Sequence, residues 1–278
     1  MLVELNLYII FHCRTMRSFI FKVKQNYIVV PARAGSKGII NKNLIKVGGR
    51  SLAVRSLVHA RRIVPDENII LSTDSEKIIS EVAEFFGIKS YELELNSISK
   101  LGQFNIHYRN SALSLDSTLI SEVLSVIRDL LEAKAKSINV ICLLQPTTPF
   151  RSLSELNRVK SIITNSGNPE FSLVSVCTVD DFHPARMYNM NPDKNLEQLG
   201  GFEKYRYFRR QDLPEVYIRD GGFYIIGDSL IAGGIQYTNK PKSFIREFPW
   251  SINIDSKKDL VLAQNITATE IMEDPNEL

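Results

Sequence analysis

The sequence predicts an α/β protein with a mostly parallel sheet covered by helices on both faces. Three observations carry that expectation. Short β-branched apolar runs alternate with longer segments of helical period, the pattern of strand–helix–strand units. The first run, Tyr27–Val30, leads straight into a loop of glycines and cations ending at Asn43. Such a loop belongs at the strand edge where open α/β sheets hold ligands. A chain of 278 residues with 44% hydrophobic content also suffices for one large domain, or for one with a smaller appendage.

The elements follow in order. Tyr27–Val30 reads as a buried strand and Ser51–Ile63 as a helix with apolar residues at helical spacing. Asn68–Ser72 is a second strand, and Ser75–Phe86 a helix stopped by Gly87. Asp116 or Ser117 is the expected cap of a longer helix reaching about Lys134. Val140–Leu144 is a third strand, Ser154–Thr164 a helix and Ser172–Val179 a further strand. From Asp180 to Pro214 the periodicity breaks, and the segment is rich in Asn, Arg and Tyr. An irregular stretch of that length in a compact domain is usually functional or reaches a partner. Gly222–Ile226 is a strand, and Ser256–Ala263 a helix capped by Asp255 or Ser256.

Charge narrows the partners. The net charge of +3 is the balance of 34 basic and 31 acidic residues without a basic block, so nucleic acid is not an expected partner. No segment reaches the ~18 apolar residues of a membrane-spanning helix, and no membrane association is expected. The apolar run from Leu7 to Phe11 lacks the basic flank and small-residue site of a secretory signal. Cys13, Cys142 and Cys177 lie far apart and read as packing residues, which makes a reducing cytoplasm the default. His12, His59, His107 and His183 form no zinc-ligand spacing.

The loop after the first strand carries Arg33, Gly35, Ser36, Lys37, Gly38, Lys42 and Asn43. Its cations, hydroxyl and N–H groups suit a polyanion such as a nucleoside triphosphate. The Walker A spacing is absent. Fixed donors of this kind stabilise a departing pyrophosphate more than the ground state. Ser72-Thr73-Asp74 ends the second strand, with Asp74 either touching a ligand or capping the next helix. Gln145 follows the third strand inside LLQPTTPFR, where two prolines hold an irregular backbone and the amide offers both donor and acceptor. Arg209 and Arg210, adjacent and followed by Gln211 and Asp212, repel each other unless they meet an anion. Asn253 and Asp255, two apart on an expected strand, share a face.

Taken together, PARAGSKG with Lys42 and Asn43, STD, LQPTTPFR, RRQD and NID occur in the order found in the acylneuraminate cytidylyltransferases, which the chain resembles over roughly residues 26–265. The resemblance implies a Rossmann-like nucleotide-diphospho-sugar transferase fold. It also implies transfer of CMP from CTP to an acidic nine-carbon sugar, N-acetylneuraminate or a related nonulosonate such as legionaminate. The nearest enzymatic rival is a transferase for the eight-carbon acid Kdo; a nucleotide-binding relative without turnover is the other alternative.

On the same resemblance, nucleotide contacts fall at Ala32, Arg33, Ser36, Lys37, Lys42, Asn43, Arg109 and Thr118, with Asp116 remaining a structural cap. Gln145, Arg209, Arg210 and Gln211 address the sugar, and Arg33, Lys42, Arg209 and Asp255 are the catalytic candidates. The family commonly has D-I-D where this chain has Asn253-Ile254-Asp255, both carboxylates addressing Mg²⁺. An amide oxygen can still coordinate but supplies no charge. A homodimer is implied, with residues 180–215 as the protruding segment. The expected division is an extension over 1–25, the cytidylyltransferase domain over 26–267 and a tail over 268–278.

Overall fold

In the computed structural model, residues 23–35, 38–179, 182–205 and 208–268 are described. The expectations for the ends of the chain, and for Cys13, His12, Ser36 and Lys37, therefore lie wholly or partly outside the described residues. β1 (Gln25–Pro31) has four successive buried residues, Tyr27 to Val30, the mark of a strand covered on both sides. β2 (Lys46–Val47) and β3 (Arg50–Ser51) form a small hairpin. They lead into α1 (Leu52–Ile63), whose N-cap Ser51 accepts a hydrogen bond from the Val54 amide.

β4 (Ile69–Thr73), fully buried, pairs parallel with β1. α2 (Glu76–Phe85) is capped by Ser75 and ends before Gly87, whose φ of 66° is the left-handed stop the sequence indicates. β5 (Ile98–Leu101) and β6 (Phe104–Tyr108) follow as an antiparallel pair, with β6 parallel to β4. Neither was expected. Each is short, and the polar residues inside them, Ser99, Lys100, Asn105 and His107, blur the alternation.

α3 (Ile120–Ala133) begins without a side-chain cap; its N-cap is Leu119. The expected capping by Asp116 or Ser117 fails because the loop runs on past them, and Asp116 is drawn into an ion pair with Arg33. β7 (Ile138–Leu143) pairs parallel with the other side of β1. α4 (Leu153–Asn165) opens with a reciprocal capping box between Ser152 and Glu155. β8 (Ser172–Thr178) precedes a polar hairpin, β9 (Tyr188–Met190) with β10 (Leu196–Gln198), flanked by single 3-10 turns. The stretch expected to be irregular thus contains a small hairpin of its own.

β11 (Tyr217–Gly227) runs antiparallel between β7 and β8, with a bulge between Arg219 and Tyr224. α5 (Asp228–Ala232), β12 (Lys242–Ile245) and α6 (Lys257–Ala268) complete the described chain. β12 was not expected, having one buried side chain, Phe244. Asn253 and Asp255 are not on a strand but on an extended, unpaired segment. Its alternation survives, with Ile252 and Ile254 buried between them, and the Ile254 amide ties the segment to the Thr147 carbonyl.

The eight-stranded sheet has the order β12-β8-β11-β7-β1-β4-β6-β5. α1, α2 and α4 cover one face through residues such as Leu57, Val82 and Val159. α3 and α5 cover the other through Val123, Ile127 and Leu230. A third cluster joins α6 to the β2–β3 hairpin through Ile254, Val47 and Ala263. The chain lays β4 and β6 to one side of β1 and then crosses to place β7 on the other. That reversal opens a crevice at the carboxyl ends of β1 and β7, where sheets of this kind bind ligands. Cys142 is buried in β7 and Cys177 half-buried in β8.

Candidate functional site

The crevice is a cleft of ≈ 290 Å³ lined by Arg33, Lys42, Asn43, Arg109, Thr118 and Gln145, among others. The sequence separates these residues widely; the topological reversal brings them together.

The loop after β1 is held from beneath by β4. The Ala32 amide donates to the Ser72 carbonyl, the Thr73 hydroxyl donates to the Ala32 carbonyl at 2.6 Å, and the Ala34 amide donates to Asp74 Oδ1 at 2.7 Å. Asp74 therefore anchors the loop, and Ser75 is the helix cap. Ala32 itself is buried with both backbone groups engaged, so it sits behind the cleft wall. At the far end of the loop the Asn43 amide donates to the Arg33 carbonyl at 2.9 Å.

Arg33 reaches Asp116 at 2.6 Å across the cleft. Lys42 Nζ donates to the Ile254 carbonyl at 2.9 Å and to Asp255 Oδ1 at 3.1 Å. The loop also lies close against the Asn253–Asp255 segment: a Cβ on Gly38 would meet the Asp255 carbonyl at 2.8 Å. That contact accounts for glycine there.

Arg109 is buried, with Nε donating to Ser72 Oγ at 2.9 Å and Nη2 to the Ser72 carbonyl at 3.2 Å. Burial pushes its pKa down to about 10, partly offset by Asp74 and reinforced by Arg33, which leaves it a cation at neutral pH. Ser72 Oγ also lies 2.9 Å from His107 Nδ1. Nε2 faces the Asn96 side-chain oxygen, which can only accept, so the imidazole proton sits on Nε2 and Nδ1 accepts from the Ser72 hydroxyl. Burial first, and Arg109 second, depress His107 to about 4. It is a neutral support for Arg109, a role its sequence position did not signal.

Thr118 lines the cleft and donates from its hydroxyl to the Ala112 carbonyl at 2.7 Å. Gln145 projects from the loop after β7, and its carbonyl accepts from Arg151 Nη2 at 3.0 Å. Arg151 is fully buried and also binds the Gly222 carbonyl through Nε and Nη2. Its pKa falls to about 9, through burial and then Arg246. The arginine that closes LQPTTPFR thus sews the loop to β11.

Another buried arginine escaped the sequence reading. Arg246 pairs with Asp220 at 2.7 Å and Glu155 at 2.8 Å, and donates to the Phe150 and Trp250 carbonyls. Asp220 in turn accepts from the Ser175 hydroxyl and the Gly222 amide. The signal in the sequence was Asp220-Gly221-Gly222 inside an apolar strand, since glycine there marks a bulge or a close backbone approach.

The RRQD segment stands apart from the cleft. Arg209 is 75% exposed and pairs with Asp212 at 2.8 Å. Arg210 borders a separate depression beside Thr178, His183 and Glu215, and Gln211 is exposed. None of the three is brought to the cleft.

Among the described residues no group of three or more His, Cys, Asp or Glu side chains gathers as a metal cluster. Asn253 and Asp255 nonetheless fit a divalent cation. Asn253 Nδ2 donates to Asp255 Oδ2 at 2.7 Å, while the Asn253 amide oxygen is buried without a hydrogen-bond partner. An orphaned carbonyl oxygen beside an exposed carboxylate is a hard-donor pair, and Mg²⁺ commonly takes one or two such groups plus substrate phosphates.

Comparison with known proteins supplies the deciding observation. A family model described as Cytidylyltransferase matches residues 27–99. The pseudaminic acid cytidylyltransferase of Campylobacter jejuni is 26% identical over 243 residues, 86% of this chain and 95% of that protein. The CMP-N,N'-diacetyllegionaminic acid synthase of Legionella pneumophila is 28% identical over 253 residues, covering 86% and 94%. The chain resembles the acylneuraminate cytidylyltransferases. A CMP:2-keto-3-deoxy-manno-octonic acid synthetase solved with CTP superposes on it with a TM-score of 0.54 at 13% identity, covering 89% of this chain and all of that one. That likeness concerns the fold alone. Among the described residues no helix is long and apolar enough to cross a membrane.

Proposed function

We propose that this cytidylyltransferase relative transfers CMP from CTP to a nine-carbon α-keto acid sugar of the nonulosonate class, releasing pyrophosphate. The observation that carries the reading is the gathering of Arg33, Lys42, Arg109, Thr118 and Gln145 in one cleft at the switch point of the sheet. The relatives act on sugars of this class by name.

In this reading the sugar's anomeric hydroxyl attacks the α-phosphorus directly. The new C–O–P linkage forms as the bond to pyrophosphate breaks, and no covalent enzyme intermediate is needed. Arg33 and Lys42 hold the phosphates and take up the charge that grows on the departing pyrophosphate. Asn43, with Ser36 and Lys37 of the same loop, shapes the phosphate cradle. Arg109 and Thr118 hold the nucleoside, and Gln145 orients the sugar. Asp255 and the Asn253 amide oxygen would hold Mg²⁺, which would supply further positive charge at the reacting phosphate.

Arg209, Arg210 and Gln211 act on the sugar carboxylate of the partner subunit in a homodimer. Two features support this: they lie off their own cleft, and the otherwise polar arm that carries them exposes large apolar side chains, among them Met190 at 68% and Leu196 at 61%. A cytoplasmic location is supported by the three scattered cysteines, which form no disulfide framework in the sequence.

The test is pyrophosphate release with Mg²⁺ and CTP, offered N-acetylneuraminate, legionaminate, pseudaminate and Kdo in turn, with ATP, GTP and UTP as nucleotide controls. Release with CTP and a nonulosonate is the expected result. Release with Kdo alone moves the protein to the eight-carbon class. CTP binding without release on any sugar makes it a binding protein.

A further inference from the structure

Lys42 has two partners, and both belong to the segment read as the metal site. Its ammonium contacts the Ile254 carbonyl and Asp255 Oδ1, and its side chain is 13% exposed. The other carboxylate oxygen of Asp255 accepts from Asn253 Nδ2 at 2.7 Å. Both oxygens of the one carboxylate are thus engaged before any nucleotide arrives.

We propose that Lys42 is a latch on Asp255, and that a triphosphate, by drawing the ammonium onto its own oxygens, frees the carboxylate for a divalent cation. This rests on the reading of the cleft as a nucleotide site. The geometry supports it in three ways. A divalent cation and an ammonium compete for the same oxygen, because their like charges repel at that separation. Lysine has three donors of which two are used, so a phosphate can engage the third and then draw the ammonium off the carboxylate. Asn253 keeps its hold on Asp255 throughout, so the released carboxylate does not swing away, while the Asn253 amide oxygen has no hydrogen-bond partner of its own. Asparagine has a function here that aspartate lacks: it donates a hydrogen bond to the carboxylate in the absence of metal.

The latch makes nucleotide and cation bind cooperatively, and by linkage the effect is reciprocal. It also makes an unusual prediction about metal-free binding. CTP affinity in EDTA, measured by titration calorimetry, is expected to rise roughly fivefold or more in Asp255→Asn, because Lys42 is no longer held. In a Lys42→Met background the same substitution gains less than half of that. A gain of equal size in both backgrounds means simple relief of charge repulsion and overturns the latch, as does no gain at all.

A second measurement needs no nucleotide. Mn²⁺ titration followed by water-proton relaxation is expected to show several-fold tighter binding to Lys42→Met than to the unmodified protein. Equal affinities overturn the latch even if the cytidylyl transfer assay succeeds. Failure of that assay with the Mn²⁺ difference intact overturns the proposed reaction and leaves the latch standing. Melting curves of the variants establish that each is folded.

Discussion

Gly221 lies directly beneath Gln145: a Cβ at Gly221 would stand 2.7 Å from Gln145 Oε1. The bulge in β11 therefore lies at the floor of the cleft under Gln145, and its lack of side chain lets the glutamine seat. Gly221 also has φ of 79°, in the left-handed region. Gly221→Ala is expected to cost about 1–3 kcal/mol of stability from backbone strain and to raise the sugar KM several-fold. The CTP KM should stay within twofold. Steady-state kinetics on both substrates check this; an unchanged sugar KM would remove Gln145 from the sugar site.

Arg246 holds the same floor from below. Its guanidinium meets both Asp220 and Glu155. Truncating one partner of a buried pair leaves the other charge uncompensated, at a cost of roughly 3–5 kcal/mol. Arg246→Ala should lower the melting temperature markedly. Arg209→Ala, in contrast, removes an exposed pair and should leave melting almost unmoved. Comparable shifts for the two would contradict the assignment.

His107 gives an acid limit to stability. Burial and Arg109 depress it from 6.5 to about 4. Between those values the unfolded chain binds a proton that the folded chain does not, so stability falls as pH falls from 6.5 toward 4 and is level outside that window. The contribution is about 3 kcal/mol. His107→Gln should flatten that part of the profile in urea titrations at pH 7 and pH 4.5. An undiminished loss in the variant would show that other groups carry it.

Active sites shared between subunits can be recognised by complementation. Arg209→Ala and Asp255→Ala homodimers are each expected to lose turnover by about 10²–10³-fold, the cost typical of a transition-state contact. Mixed and reassembled, they should regain part of it, because one of the two sites then contains neither substitution. No recovery in verified heterodimers would place Arg209 in its own subunit's site or outside catalysis.

Much of this was legible in the sequence because the informative residues sit where local rules are strongest. β1, β4 and β7 announce themselves as continuous β-branched runs, and the loop at Arg33–Asn43 follows one of them without a break. β5, β6 and β12 did not, since a short strand with polar residues is specified by its neighbours in the sheet rather than by its own pattern. The capping box at Ser152 and Glu155 is within reach of local reading, yet the expected helix starts at Ser154, one residue after its observed start at Leu153. Asp116 looked like a cap and proved to be the partner of Arg33, a contact that depends on how two loops meet. The same limit hid Arg246, whose partners Glu155 and Asp220 are distant in sequence. Pairings of this kind leave no local trace.

The most direct measurement is phosphorus NMR of a reaction containing the purified protein, Mg²⁺, CTP and a nonulosonate. Direct attack on the α-phosphorus predicts loss of the three CTP resonances with equal appearance of pyrophosphate and a single CMP phosphodiester signal. Appearance of CDP with inorganic phosphate, or of free CMP with no sugar phosphodiester at any time, would contradict the account.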